Sequence, residues 1–191
     1  MKLYRVFPWH QGVPFFKEGG PLYVPRKRQG SQRHDIPDLD GVIYSSQIEL
    51  SAVVESLSQF SGSSLENADF ISPTGNILSL ATYELSDYSH LINLDDPKTL
   101  SKFKLRPSEV ITRIYSGTRK MSERFWREGA IGFIWPSSQE ASWPNVTLFE
   151  SRVRKYLKVV ANSIQPLHVS HKIVIEAAFR LKIKLTTRAG Q

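Results

Sequence analysis

Two rhythms run through the apolar positions of this chain. Residues 2–7 alternate and are rich in Leu, Tyr, Val and Phe, which predicts a strand. Gly41-Val42-Ile43-Tyr44 is a short β-branched run and predicts a buried strand. Between them, residues 8–40 hold much of the chain's Gly and Pro and predict a loop. A loop this long is uncommon in a compact domain unless it carries function. Ser46-Gln47-Ile48-Glu49 then fits a capping box, and a helix is expected over about 47–60. Leu50, Val53, Val54, Leu57 and Phe60 mark its core side at helical spacing. Glu55 falls on the opposite side, near Ala52 and Ile48.

The second half continues the mixture. Alternating apolar stretches in 69–92, such as Ile77 to Tyr83, predict one or two strands. Asp95-Asp96-Pro97 opens a short helix near 97–103. Ser108 is expected to cap a longer helix carrying Val110, Ile114, Met121 and Phe125, with Gly129 closing it. Residues 131–135 and 146–149 predict two more buried strands, with Pro136-Ser137-Ser138 turning out of the first. The last forty residues predict a helix over about 152–164, a break at Pro166, and a second helix over about 170–184. Strands and helices are mixed without regular alternation, which argues α+β rather than a doubly wound sheet.

Composition narrows the class. A chain of 191 residues with 40% hydrophobic and 23% charged positions is an ordinary soluble globular composition, long enough to bury a core without staples. It contains no cysteine, which excludes disulfides, thiolate metal sites and a cysteine nucleophile. Arg5 and Pro8 interrupt any signal-peptide core, and no window approaches a membrane span, so a cytoplasmic protein is expected. The net charge of +7 is unevenly placed. From Arg152 onward nine Lys or Arg accompany a single acid, Glu176, while residues 1–151 are close to neutral. Two units are therefore expected, 1–151 and a basic helical extension over 152–191.

Common chemical signatures are missing. There is no Gly-rich phosphate loop, no His-Glu-x-x-His and no Gly-x-Ser-x-Gly. His168-x-x-His171 lacks a third ligand and reads as surface histidine rather than a metal site. Arg5 sits inside an apolar strand, so it either faces solvent or binds an anion at a cleft, where a guanidinium matches phosphate. Periodicity alone makes Glu55 a solvated helix residue, Tyr44 a core residue with its hydroxyl at the rim, and Ser137 an ordinary turn serine.

Taken in order, these residues resemble a known family. Tyr4-Arg5-Val6, Arg33-His34-Asp35, Gly41 to Tyr44, Ala52 to Glu55, Gly132 to Ser137 and Trp143 to Phe149 are similar to the RES domain, named for its Arg, Glu and Ser. The resemblance covers about residues 2–151. Arg33, Tyr44 and Glu55 stand at equal intervals of eleven, as expected of that family. One departure is local: the family's loop arginine usually stands in Gly-Arg-Phe or Gly-Arg-Trp, and here the residues are Gln32-Arg33-His34.

The resemblance implies an ADP-ribosyltransferase-like mixed sheet flanked by helices. It implies a toxin that degrades NAD by cleaving the nicotinamide–ribose bond, with water or phosphate as acceptor. Arg5, Tyr44 and Glu55 are the implied catalytic residues, and Arg5, Arg33, Tyr44 and Ser137 the implied NAD-binding ones. No metal is required, because nicotinamide leaves from a ring that is already cationic. The implied partner is a helix-turn-helix antitoxin of the Xre type, through which alone nucleic acid would be met; a homodimer is left open, and no membrane is involved. A different class also fits the charge pattern, namely a non-catalytic nucleic-acid-binding or adaptor protein using its basic C-terminal segment.

Overall fold

A computed structural model describes residues 1–186 of the chain. The elements in order are β1 (Lys2–Trp9), β2 (Val42–Ser46), α1 (Glu49–Leu57), β3 (Ser64–Leu65), β4 (Ile77–Leu85) and β5 (Leu91–Asn93). There follow α2 (Pro97–Phe103), α3 (Pro107–Val110), α4 (Tyr115–Arg127), β6 (Gly132–Pro136), β7 (Pro144–Phe149) and α5 (Glu150–Val153). The chain ends with β8 (Leu157–Val159), β9 (Gln165–Pro166), α6 (Lys172–Leu181) and β10 (Lys184–Leu185).

The fold is α+β. Among the described residues, one mixed sheet runs β5-β6-β7-β2-β1-β4-β8, with β9 also pairing β4, and a small second sheet joins β10 to β3. β5 and β6 are parallel, and the other pairs of the main sheet are antiparallel. β1 and β4 pair along eight residues, yet β1 and β2 share a single register pair, Tyr4 with Ser46. The sheet therefore splits between its two central strands, and the split becomes a cleft.

Alternation sorts the side chains on either side of that split. Leu3 and Phe7 of β1 pack with Tyr83, Leu85, Val146 and Leu148 on one face. On the other face α1 and α6 pack together through Val53, Val54, Leu57, Val174, Ala177 and Ala178. Each fully buried Val or Leu contributes about 1.5–3 kcal/mol, so α1 is anchored firmly to this layer. A third cluster, built on Phe103, Phe125, Phe133 and Phe149, packs α2 and α4 against β6 and β7.

Three expected elements differ. The predicted helix over 152–164 is only the single turn α5, after which Leu157–Val159 joins the edge of the main sheet beside β4. Leu157, at 3% exposure, seals the Leu3–Phe7 cluster, so its burial is satisfied better by a strand edge than by a helix stripe. The second predicted helix forms as α6, and Arg188 lies outside the described residues. The helix expected from Ser108 divides into α3 and α4, leaving Ile114 70% exposed. Finally, the capping box at α1 does not form. Ser46 Oγ accepts from Ile48 N–H and itself donates to the Pro144 carbonyl, because Ser46 belongs to β2. Among the described residues no helix is long and apolar enough to cross a membrane.

Candidate active site

The cleft in the split sheet has a volume of about 640 Å³. That is the size of a ligand site rather than a packing defect. Arg5 from β1, Arg33 from the long loop, Tyr44 from β2 and Glu55 from α1 all line it. Ser137 stands just behind, 3% exposed and bonded to Glu55. The five residues implied by sequence therefore gather at one place.

Glu55 owes its position to the geometry of α1. One side of the helix is committed to the core by Val53, Val54 and Leu57, and Ala52 and Glu55 turn to the cleft. Its Oε1 accepts two hydrogen bonds, from Ser137 Oγ at 2.6 Å and from Asn145 Nδ2 at 2.8 Å. Both donors come from the β6–β7 hairpin, on the far side of the cleft floor. With Oε1 doubly held, Oε2 is the oxygen left to receive a ligand.

Arg33 is 9% exposed. Its Nη1 donates to the carbonyls of Thr112 at 2.8 Å and Val110 at 3.3 Å, and its guanidinium lies over the rings of Trp135 and Tyr115. Arg5 donates to the carbonyls of Pro21 and Tyr23 and lies over Phe7. Among the described residues neither guanidinium has a carboxylate partner. Backbone dipoles and aromatic faces position these cations without neutralising them, which favours an anionic ligand. Arg113 adds a third, exposed guanidinium at the cleft wall.

The loop bearing Arg33 is knitted in from all sides. Asp35 accepts from the backbone N–H groups of Gly30 and Gln32, both at 2.8 Å. Thr118 and Ser122 of α4 donate to the carbonyls of Arg33 and His34. Tyr44 supplies the link to the sheet: its hydroxyl accepts from His34 N–H at 2.9 Å and donates to Asp35 at 2.8 Å. Burial, reinforced by the Asp35 charge, pushes the Tyr44 phenol well above its usual value. The ring of Tyr44 faces the cleft while its hydroxyl is engaged in holding the loop.

His34 is fully buried, edge-on to Phe133 and Trp135, with Nδ1 2.8 Å from Thr147 Oγ1. Thr147 also accepts from Trp135 Nε1–H at 2.9 Å. Among the described residues, His34 Nε2 is buried without a hydrogen-bond partner. Desolvation, aided by the Arg33 charge, pulls the His34 pKa well below the usual histidine value, which favours the uncharged ring. The histidine thus occupies an aromatic slot.

Sequence reasoning did not single out Asn145, Ser51, Trp135 or Arg113. Asn145 had one available signal: it is a polar residue at the head of a strand whose inward positions are otherwise buried.

Among solved structures, the fold is similar to a chain of the crystal structure of the M. tuberculosis MbcT-MbcA toxin-antitoxin complex. The likeness has a TM-score of 0.62 and 18% identity, over 95% of this chain and 87% of that one. No family model and no curated protein matches the chain.

Proposed function

We propose that the chain is the toxin of a toxin–antitoxin pair and that it degrades NAD by cleaving the bond between nicotinamide and ribose. One observation carries this reading: a carboxylate with one oxygen doubly anchored shares a cleft with two guanidiniums that, among the described residues, have no carboxylate partner. A dinucleotide with a pyrophosphate and a cationic leaving group fits that charge arrangement. The RES resemblance and the likeness to the fold of a toxin–antitoxin chain support the same choice.

In this mechanism Arg5 and Arg33 hold the pyrophosphate and so fix the nicotinamide ribose beside Glu55. The C1′–N bond breaks and nicotinamide departs with the electron pair as a neutral molecule. Positive charge develops on the ribose, as in other glycosidic cleavages. The Glu55 carboxylate, through Oε2, stabilises that charge and receives the ribose hydroxyls. Water or inorganic phosphate then adds at C1′; a water proton passes to solvent, and phosphate yields a phosphorylated ADP-ribose. The partner proposed is a helix-turn-helix antitoxin of the Xre type.

The test is incubation of the purified protein with NAD, with and without phosphate, followed by chromatography of the products. Nicotinamide release is expected, with ADP-ribose or its phosphate ester identifying the acceptor. A folded protein that releases no nicotinamide at high concentration would overturn the reading.

A further inference from the structure

The Glu55 carboxylate is held by a relay that begins on its own helix. Ser51 lies one turn before Glu55 on α1 and is completely buried. Its Oγ donates to Asn145 Oδ1 at 2.9 Å, and Asn145 Nδ2 donates to Glu55 Oε1 at 2.8 Å. Asn145 itself is 2% exposed and stands on β7 directly across from Ser46 and Trp135. A single amide from the sheet thus bridges two successive turns of one helix.

We propose that Ser51 and Asn145 are positioning residues, a pair that sets the rotamer of Glu55 so that Oε2 meets the ribose. The inference rests on the proposed glycosidic cleavage, which it deepens. Glu55 Oε1 accepts, so the Asn145 NH₂ faces Glu55 and its carbonyl oxygen faces away. Ser51 is the group that receives that carbonyl oxygen. With both ends of the amide held, its plane is fixed, and so is the donor on Oε1. Ser137 supplies the second donor from a turn, a less regular support than β7. Without Ser51 the amide keeps only its bond to Glu55 and rotates with it. The carboxylate then samples several orientations, and a misplacement of about 1 Å costs on the order of a hundred-fold in rate when geometry is critical.

Ser51 does not line the cleft and acts only through the orientation of Glu55, so its effect is read chiefly in turnover. The experiment compares wild type, Ser51→Ala and Ser51→Thr. It measures kcat and KM for NAD, and the side-chain NH₂ resonances of Asn145 in ¹⁵N-labelled protein. In Ser51→Ala, kcat is expected to fall on the order of ten-fold with KM unchanged. The Asn145 NH₂ protons are expected to lose their protection from solvent exchange. Ser51→Thr keeps the hydroxyl and is expected to retain both the kcat and the protected resonances. A wild-type kcat in Ser51→Ala would overturn the proposal, as would a loss carried by KM or an unchanged Asn145 NH₂ signal. If wild type itself releases no nicotinamide, the glycosidic reading fails, and the Asn145 resonances alone still decide whether Ser51 holds the amide.

Discussion

Ser137 Oγ donates to Glu55 Oε1 at 2.6 Å, across 82 residues of sequence. The contact joins a turn at the end of β6 to the last turn of α1, and it helps fix the orientation of the carboxylate in the cleft. The same hydroxyl accepts from Gln139 N–H at 3.0 Å, so its proton is directed at Glu55. Replacing Ser137 by Ala is expected to lower kcat for NAD by about 10- to 100-fold while the protein stays folded. Glu55→Gln should go further. Its amide oxygen still accepts from Ser137 and Asn145, so the fold is retained, but the negative charge is gone, and turnover is expected to drop by roughly a thousand-fold. Product assays alongside circular dichroism check both. Full activity in Glu55→Gln would remove the proposed chemistry.

Arg33 is expected to act mainly on affinity. Arg33→Lys keeps a charge but loses the planar group that spans Trp135, Tyr115 and the two carbonyls. The KM for NAD should rise by about ten-fold or more, since a charged hydrogen bond contributes roughly 1.5–3 kcal/mol. Titration calorimetry with NAD or ADP-ribose reads the same loss directly. An unchanged affinity would place the pyrophosphate elsewhere.

Tyr44→Phe separates the ring from its hydroxyl. The ring still lines the cleft, but His34 N–H and Asp35 lose a shared partner. A buried donor left unpaired costs about 1–3 kcal/mol, so the thermal midpoint should fall by roughly 2–10 °C. NAD affinity should weaken in parallel, through the Arg33 loop. Because the phenol titrates well above its usual range, no activity limb near pH 10 is expected from Tyr44 in wild type. A variant as stable as wild type would show that the loop is held without this hydroxyl.

His34 gives stability a defined pH dependence. Burial holds its folded-state pKa well below the usual histidine value, so the unfolded chain binds a proton more readily. Stability from this group is complete above about pH 6.5 and is lost as pH falls from there toward the folded pKa. The slope approaches about 1.4 kcal/mol per pH unit. His34→Phe keeps an aromatic ring against Phe133 and Trp135 and removes the titration. Thermal melts of the two proteins between pH 5 and 7.5 should diverge at the acid end, with the variant losing less. Parallel curves would show that His34 does not set this dependence.

The Asp96-Pro97 start signal anticipated α2. Apolar patterning anticipated β1, β2, α6 and, at 131–135, the strand found at Gly132–Pro136, because each buries a face against a neighbouring layer. It also turned Glu55 away from the core stripe, and that turn is what places the carboxylate on the cleft. Arg5 shares a face of β1 with Leu3 and Phe7, and its place on the cleft wall, held by the carbonyls of Pro21 and Tyr23, makes it a site residue rather than a solvated one. The helix expected after Arg152 failed for a related reason. A basic-apolar stripe satisfies either a helix face or an exposed sheet edge, and β4 had an edge to fill.

What the sequence determined by itself was local: the segments that bury a face, the side of α1 that carries Glu55, and the set of Arg, Tyr, Glu and Ser whose order resembles one family. What tertiary structure decided was the split between β1 and β2, the Asn145 bridge, and the buried His34 in an aromatic slot. These depend on register between distant strands. A shift of one residue would move Asn145 and Thr147 to the opposite face of the sheet, and no pattern along the chain specifies which strand lies beside which.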